Sequence, residues 1–343
     1  MSFLDSKRIV GTNTQRIGAD AIAGGWKEVG RTTLGSAGDT ISVSSLPTKR
    51  YYMILQNPLA SGANTTWNRL NNDSGSNYAR RISNNGGADG TSVSATEMRI
   101  DAWGGSTDKF FVTYLANKSD KEKLMIGQMV DGYTSGAGTA PQRSEYGFKW
   151  ANTSSDFSRI DALNQGGGDF ASGSEVVVLG YDPDDTHTDN FWEELDDSSW
   201  STGDSWTSGT FTAKKYLWVQ FYTEGGAGSS YFRFNGDSAN NYANRYSING
   251  GSDSTIASQP ESYLGAIDGL SFHNLFIINN ASNEKLFTHQ RVSRSTAGAG
   301  NAPTRNEGAG KWANTSNQIT SITVTTAGGG NLTAGNMKVW GSN

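Results

Sequence analysis

Short apolar runs, each followed by Gly, Asn, Ser or Asp, divide most of this chain into predicted β-strands. Residues 40–43 alternate between polar and apolar side chains like an edge strand, whereas residues 51–55 form a continuous apolar run typical of a core strand. No helical periodicity of useful length interrupts this pattern. The strands predicted in the first part of the chain are residues 40–43, 51–55, 66–71, 78–83, 110–115, 123–130, 157–163 and 175–179.

The second part of the chain replays the order of the first. Residues 77–87 recur as residues 241–251, with Asn, Tyr, Ala, Arg, Ser, Asn, Gly and Gly in the same places. Residues 149–154 recur letter for letter as residues 311–316. A repeat this long indicates tandem domains from an internal duplication and not a solenoid. The strands predicted in the second copy are residues 216–222, 231–234, 242–247, 275–278, 285–287, 319–324 and 338–341.

These patterns predict an all-β protein with two tandem homologous domains of jelly-roll or β-sandwich type. The predicted modules are residues 26–181 and residues 192–343, joined by an acidic linker at residues 182–191. The linker should be solvated and extended, because it is rich in Asp and contains Pro. A calcium site is the alternative for its carboxylates, but the Gly and Glu that an EF-hand loop needs are absent.

Residues 1–25 match nothing in the second copy, and two interpretations of them remain open. They form either a frayed terminus or an N-terminal arm that orders on a neighbouring subunit and acts as a docking arm. The N-terminus lacks the apolar core of a secretory signal, and no run approaches the ~18 apolar residues of a transmembrane helix. No membrane association is therefore expected.

The residues kept in both copies suggest a structural role for the repeated segment, which we interpret as a β-hairpin. A two-residue period places Tyr78 on the core face and Arg81 on the other face. Asp73 should accept hydrogen bonds from turn N–H groups and from an arginine, although a polar ligand site is the alternative. The kept residues of this predicted hairpin are Arg69, Asp73, Tyr78 and Arg81, with Arg233, Asp237, Tyr242 and Arg245 as their counterparts.

Composition narrows the function further. The 343 residues include 43 Gly and 10 Trp but no Cys, which excludes disulfides, thiolate catalysis and Cys-based metal sites. The net charge of −5 is concentrated in the acidic residues 182–197, and no basic face of the kind that binds nucleic acid is present. Tryptophans in polar surroundings could anchor an interface or stack on sugar rings, and these are Trp67, Trp103, Trp200 and Trp206.

No convergent set of catalytic groups is evident. Of the three histidines, His187 lies in the linker, while His273 and His289 align with Phe111 and Gly127 and so do not belong to the shared design. Asp101 and Glu145 are the best positions for a glycosidase carboxylate pair, but their signal is weak. The Gly-rich stretches lack the Lys and the context of a P-loop. We therefore expect no enzyme, no cofactor and no metal.

The endings of the two copies resemble those of known virion proteins. Residues 170–181 and residues 332–341 each rise from a loop through an apolar strand into a Gly, although Trp340 stands where the first copy has a Leu-type residue. The Asn- and Asp-containing segments 70–78 and 234–242 are similar to the same group. Both features resemble β-jelly-roll virion structural proteins of tailed bacteriophages, over both modules but not over residues 1–25.

This resemblance implies a non-enzymatic virion protein, made in the host cytoplasm and assembled in many copies. A capsid decoration protein or a head or tail appendage is preferred, with itself and other virion proteins as partners. Three alternatives remain: a carbohydrate-binding receptor-recognition protein of tail-fibre or spike type, with a host surface glycan as its partner; a double jelly-roll major capsid protein; and a divergent polysaccharide-degrading enzyme.

Overall fold

The computed structural model describes residues 25–185, 189–225, 228–266, 269–294, 296–328 and 330–343. These residues form 26 β-strands and no helix, which confirms the prediction of an all-β protein. The predicted arm, apart from Gly25, and His187 of the predicted linker lie outside the described residues.

Strands β1–β14 make up the first half of the molecule and β15–β26 the second. The strands of the first half are β1 (Lys27–Thr33), β2 (Thr40–Val43), β3 (Tyr51–Asn57), β4 (Ala60–Ser61), β5 (Thr66–Leu70), β6 (Tyr78–Asn84), β7 (Gly90–Ala95), β8 (Met98–Arg99), β9 (Lys109–Ala116), β10 (Lys123–Asp131), β11 (Gln142–Trp150), β12 (Ile160–Asn164), β13 (Asp169–Phe170) and β14 (Glu175–Tyr181). Those of the second half are β15 (Glu193–Trp200), β16 (Ser205–Thr207), β17 (Tyr216–Gly225), β18 (Ser229–Phe234), β19 (Tyr242–Ile248), β20 (Ser254–Gln259), β21 (Ser262–Ala266), β22 (Gly269–Ile278), β23 (Lys285–Ser293), β24 (Thr304–Trp312), β25 (Ile322–Ala327) and β26 (Leu332–Ser342).

Each half contains an eight-stranded and a four-stranded sheet. In the first half the strand orders are β1-β14-β3-β9-β10-β11-β6-β7 and β2-β12-β5-β8, with a short β13-β4 pair beside them. In the second half they are β15-β26-β17-β22-β23-β24-β19-β20 and β16-β25-β18-β21. The two sheet sets are similar, strand for strand, and the pairs are antiparallel.

The two sheets of each half enclose an apolar core, as expected of a sandwich. In the first half, Ile54 of β3 and Phe111 of β9 belong to the same buried cluster as Leu70 of β5 on the smaller sheet. In the second half, Val219 of β17 and Phe234 of β18 are the corresponding contributors. These side chains stand on alternate positions of their strands, because successive side chains of a strand point to opposite faces.

A third apolar cluster joins the two halves back to back. It is built from the outward-facing residues of both eight-stranded sheets, so that Leu55 and Val177 of the first half lie in one cluster with Tyr216 and Phe276 of the second. The layers therefore follow the order four, eight, eight and four strands. Because their sheets are covered on both faces, β3, β9 and β14 have continuous apolar runs and not alternating ones.

The described part of the predicted linker packs against this body. Asp185 accepts a hydrogen bond from Lys49 Nζ at 2.6 Å, and Asp189 pairs with Lys27 at 3.3 Å. Phe191, at the end of the segment, is buried in the third cluster. The prediction that the segment is solvated agrees with the exposure of Pro183, Asp184 and Asp189. Its described ends are nevertheless held in place by Phe191 and the two ion pairs.

The repeated segment that we interpreted as a β-hairpin is a corner between sheets. Strand β5 pairs with β12 and β8 in the four-stranded sheet, whereas β6 pairs with β11 and β7 in the eight-stranded sheet. The prediction of a hairpin was wrong because a turn rich in Asn, Asp and Gly can serve either connection.

Candidate binding surfaces and the cleft between the halves

The repeated tyrosine fixes the corner between the two sheets. The hydroxyl of Tyr78 accepts a hydrogen bond from the Leu70 N–H at 3.0 Å and lies 3.0 Å from the carbonyl oxygen of Asp73. In the second half, the hydroxyl of Tyr242 accepts from the Phe234 N–H at 2.8 Å. Both rings are buried in the cores, as the two-residue period predicted.

The repeated aspartate closes the turn at each corner. Asp73 accepts from the Gly75 N–H at 2.9 Å, from Asn77 Nδ2 at 2.9 Å and from the buried indole Nε1 of Trp150 at 2.7 Å. Partial burial opposes ionisation, but these donors outweigh it and hold the pKa of Asp73 below its usual value. Asp237 repeats the arrangement, with Trp312 as its indole donor at 2.7 Å.

The prediction that an arginine donates a hydrogen bond to this aspartate is wrong. Arg69 pairs with Glu97 at 2.5 Å, and Arg233 pairs with Glu261 at the same distance. The third donor to Asp73 is the tryptophan of the repeated Lys-Trp-Ala-Asn-Thr-Ser segment. Both repeated segments therefore meet at one structural corner, where their polar groups satisfy one another.

Arg81 and Arg245 occupy the same repeated position but have different partners. Arg81 is exposed on the outer face of its sheet and pairs with Asp89 at 3.3 Å. Arg245 donates from Nε to the carbonyl oxygen of Pro141 in the other half, at 2.8 Å. Arg81 therefore has a partner within its own half, whereas Arg245 bonds across to the other half.

Further polar contacts lock the two halves together. Arg143 Nη2 pairs with Asp253 Oδ1 at 2.7 Å, with both side chains buried. Lys311 Nζ donates to the carbonyl oxygen of Gly132 at 3.0 Å, whereas its repeat counterpart Lys149 is exposed. Gly86 has a φ of 67°, and a Cβ there would lie 2.2 Å from Asp253 Oδ1, so this glycine meets both a backbone and a space requirement.

The four predicted contact tryptophans are half-buried, and two of them lie in each half of the molecule. Trp103 packs against the first core, and Trp67 lies under the guanidinium of Arg99, whose Cζ is 5.7 Å from the ring centroid. Trp200 and Trp206 stack on each other in the second half, with centroids 5.6 Å apart. Their polar sequence surroundings do not make these rings fully exposed, because each packs partly on its own module.

The candidate carboxylates have structural partners. Asp101 is buried with Lys109 as its ion-pair partner, and it also accepts from the Thr66 and Trp103 N–H groups. Burial raises the pKa of Asp101 above its usual value, despite the neighbouring cation. Glu145 pairs with Arg143 at 2.5 Å.

The two described histidines form a buried pair. His273 Nδ1 and His289 Nε2 are 3.2 Å apart, and the rings are nearly parallel. Burial lowers the pKa of His289 to about 3, and the charge of nearby Arg291 adds to this effect. Within the described ranges, no group of three or more metal-ligating side chains could hold a metal ion.

An open cleft lies between the outer faces of the two eight-stranded sheets. It consists of two adjoining cavities of about 400 and 450 Å³, and Tyr114 and Gln290 line both. The two halves touch at its base, where the rings of Tyr114 and Phe276 are 6.5 Å apart. On the first half, Leu124 and Ile126 are exposed on the outer face beside it, and Phe272 and Val292 are exposed on the second half.

One wall of the cleft carries a ladder of polar side chains in direct register. Gln220, Asn274, Gln290 and Glu307 are paired neighbours on β17, β22, β23 and β24. Trp218 stands two residues before Gln220 on the same face, and its ring stacks on that of Phe276, with centroids 5.4 Å apart. This surface was not predicted from the sequence, because only the register between strands brings the ladder together. The only sequence signal is that Gln128 and Glu145 occupy the repeat positions of Gln290 and Glu307.

In the described part of the chain, no helix is long and apolar enough to cross a membrane. No family model and no curated protein matches this chain. Similar solved structures include human GIVD cytosolic phospholipase A2, with 8% identity, a TM-score of 0.12, and 78% of this chain and 33% of that chain covered. Neisserial surface protein A is another, with 8% identity, a TM-score of 0.13, and 85% and 97% covered. This chain thus spans about a third of the phospholipase, and neither likeness is close enough to support an argument about fold or function.

Proposed function

We propose that this chain is a non-enzymatic structural protein of a bacteriophage virion, built by duplication of one jelly-roll module. It would assemble in many copies as a capsid decoration protein or as a head or tail appendage, after synthesis in the host cytoplasm. The resemblance of the two copy endings to virion proteins points to this class. The similar sheet sets of the two halves support the duplication.

The observation that carries the proposal is the back-to-back packing of the two halves. A buried apolar cluster shared by both eight-stranded sheets, with the buried Arg143–Asp253 pair beside it, makes one rigid body without disulfides. Such a body suits a particle component that must keep its shape outside the cell. The polar groups at the repeated corners are used within the fold, which favours a scaffold over a reaction site.

The proposed partners are other copies of this chain and other virion proteins. Residues 1–25 are the proposed docking arm, since they have no counterpart in the second copy. Deletion of these residues should leave both halves folded and abolish assembly, as measured by light scattering and by binding to capsids. Unchanged assembly would contradict the arm.

The decisive experiment locates the protein in purified phage particles. Quantitative mass spectrometry should find the chain at a regular copy number per particle, and a cryo-EM map should show the four-layer body at symmetric positions on the head or tail. A body that forms the shell itself would instead favour a major capsid protein. Absence from purified particles, together with a monomer in solution, would overturn the proposal.

A further inference from the structure

We infer that the cleft between the halves is a binding site for a short neutral oligosaccharide. This site goes beyond the proposed structural role, which does not require it. It is also distinct from the four tryptophans that the sequence suggested as glycan contacts.

The cleft carries several hydrogen-bonding groups that have no partner among the described residues. Among the contacts of the described residues, the side-chain amides of Gln128 and Gln290 and the hydroxyl of Tyr114 form no hydrogen bond. All three line one or both cavities. Amides and hydroxyls that both donate and accept match the hydroxyl groups of a sugar.

Part of this surface is already fixed in position by hydrogen bonds within the wall of the cleft. The side-chain oxygen of Asn274 accepts from Trp218 Nε1 at 2.7 Å and from Gln220 Nε2 at 3.1 Å. This bond holds the indole and one ladder amide together. The side-chain nitrogen of Asn274 makes no hydrogen bond to any described residue, so it is available to a ligand. A preorganised wall loses little side-chain entropy on binding.

The cleft combines aromatic and polar surface. Tyr114 and Trp218 are only partly exposed, and they line the second cavity beside the polar ladder. Aromatic rings offer an apolar face at low entropy cost and suit ligands that are apolar on one side and polar at the edge. Sugar rings have this form. Each cavity also lies within the range of about 300–1,000 Å³ usual for ligand sites.

The charged side chains that line the cleft balance one another. Three arginines and three carboxylates line the two cavities together, so the site carries no net charge. Arg305 pairs with Glu307 at 2.5 Å and Arg81 pairs with Asp89 at 3.3 Å, which leaves these charges locally compensated. A neutral ligand is therefore favoured over a sialylated or sulfated one, which would need an unpaired cation.

The test is a glycan array carrying neutral hexose and N-acetylhexosamine oligosaccharides, with sialylated and sulfated ones as charged arms, probed with the full chain. Affinity for the best hit is then measured by calorimetry. Gln290→Ala should weaken binding about tenfold, the loss of roughly one good hydrogen bond. Tyr114→Phe removes only the hydroxyl and should weaken it several-fold.

Two matched controls separate this site from other surfaces. Gln259→Ala changes an exposed glutamine outside the cleft, and Trp67→Phe changes a tryptophan suggested by the sequence. Both should bind as the wild type does, and Gln290→Ala, Tyr114→Phe and Gln259→Ala should keep the wild-type melting temperature.

Three outcomes would overturn the inference. They are no neutral glycan bound at millimolar concentration, a bound glycan whose affinity does not change in Gln290→Ala, and a stable dimer in which a second copy covers the cleft. Preference for the charged arms would overturn the neutral ligand class. Location of the protein in virions is measured separately, so failure of this site leaves the structural role standing.

Discussion

At the scale of single residues, equivalent spaces in the two halves are filled by large side chains from different strands. In the first half, Tyr146 of β11 lies across from Gly127 of β10, and in the second half His289 of β23 lies across from Gly308 of β24. A Cβ on Gly127 would lie 2.4 Å from the Tyr146 ring. The large residue and the glycine have exchanged strands, which keeps the packed volume similar.

A second glycine that faces a large side chain gives a test of stability. Phe287 occupies the space over Gly310, and a Cβ on that glycine would lie 2.0 Å from the ring. Gly310→Ala should therefore lower the free energy of unfolding by about 1–3 kcal/mol through overpacking. Urea denaturation would measure it.

The control for this substitution is a glycine on β11 of the first half. Gly147→Ala places a Cβ no closer than 3.9 Å to a neighbour, and the repeat counterpart of Gly147 is Ala309. It should change stability by less than about 1 kcal/mol. Equal effects of the two substitutions would show that the space over Gly310 is not tightly filled.

The buried histidine pair predicts a pH dependence of stability. Burial holds the pKa of His273 well below its ordinary 6.5 and lowers that of His289 to about 3. The unfolded chain therefore binds protons below pH 6.5 that the folded chain does not. Stability should fall as the pH drops from about 6.5 towards 3, with each histidine contributing up to about 1.4 kcal/mol per pH unit.

His273→Phe should reduce this slope, because it removes one titrating group and restores the residue found at Phe111 of the other half. Urea denaturation between pH 7.5 and pH 4 would compare the two proteins. Since carboxylates contribute equally to both, the difference in slope isolates the histidine. Identical slopes would mean that His273 is protonated to the same extent in the folded and unfolded states.

At the scale of elements, the sequence predicted the apolar strands well and the polar ones poorly. Residues 40–43 correspond to β2, and residues 51–55 lie inside β3. Strands β11 and β24, which carry glycines and charges, were not predicted, because their alternation includes Gly308 and Gly310 in place of large apolar residues. Their glycines make sense only beside the strand that fills the space.

The sequence predicted the residues of the turn between β5 and β6, but it did not predict that this turn connects two different sheets. The kept Asp, Tyr and Gly residues mark a turn, but sequence does not tell whether the next strand stays in the same sheet. The indole of Trp150, 77 residues away from Asp73, completes the turn. That partner is recognisable only from the second repeated segment, which recurs together with the first.

Removal of the corner carboxylate is the test at this scale. Asp73→Ala leaves the buried Nε1–H of Trp150 without its acceptor and should cost about 2–3 kcal/mol of unfolding free energy. Asp237→Ala should cost a similar amount in the second half, because Trp312 takes the same place. Thermal and urea denaturation would measure both.

Ser74→Ala, at the exposed neighbouring position, serves as the control and should stay within about 0.5 kcal/mol of the wild type. The pKa of Asp73 is depressed, so its contribution is present above its unfolded pKa near 3.8 and is lost as the pH falls below that value. A loss no larger than that of Ser74→Ala would mean that the turn does not depend on its carboxylate.

At the scale of the whole molecule, the two halves form one body that the sequence did not predict. Residues 51–55, which lie inside β3, were correctly expected to form a core strand, and the apolar runs of β9 and β14 were expected only as strands. They belong to two clusters at once, one inside the sandwich and one between the halves. Periodicity alone cannot separate these, because both faces of such a strand are apolar. The cleft was also not predicted, because it exists only where the two halves meet.

Asp253 and Asp89 occupy the same repeated position and offer a matched test of this contact. Asp253 has 2% of its side chain exposed and pairs across the halves with Arg143, whereas Asp89 is 46% exposed. Asp253→Ala should cost about 3 kcal/mol, because it leaves a buried guanidinium without this partner. Asp89→Ala should change stability by less than about 1 kcal/mol.

Calorimetry would also show whether the halves unfold together. The wild type should give a single transition, since the halves share a buried cluster. Asp253→Ala should broaden or split it. Equal melting temperatures for the two aspartate variants would contradict the importance of this contact.

The back-to-back packing has a consequence for synthesis of the chain. The first half is complete at residue 181, but the surface that covers its outward apolar face comes from strands that end as late as residue 342. At the usual rate of translation, that face waits on the order of ten seconds for its cover. A ribosome that stops between the two repeats would release a first half whose outward apolar face has no cover, and exposed apolar surface of this kind favours aggregation.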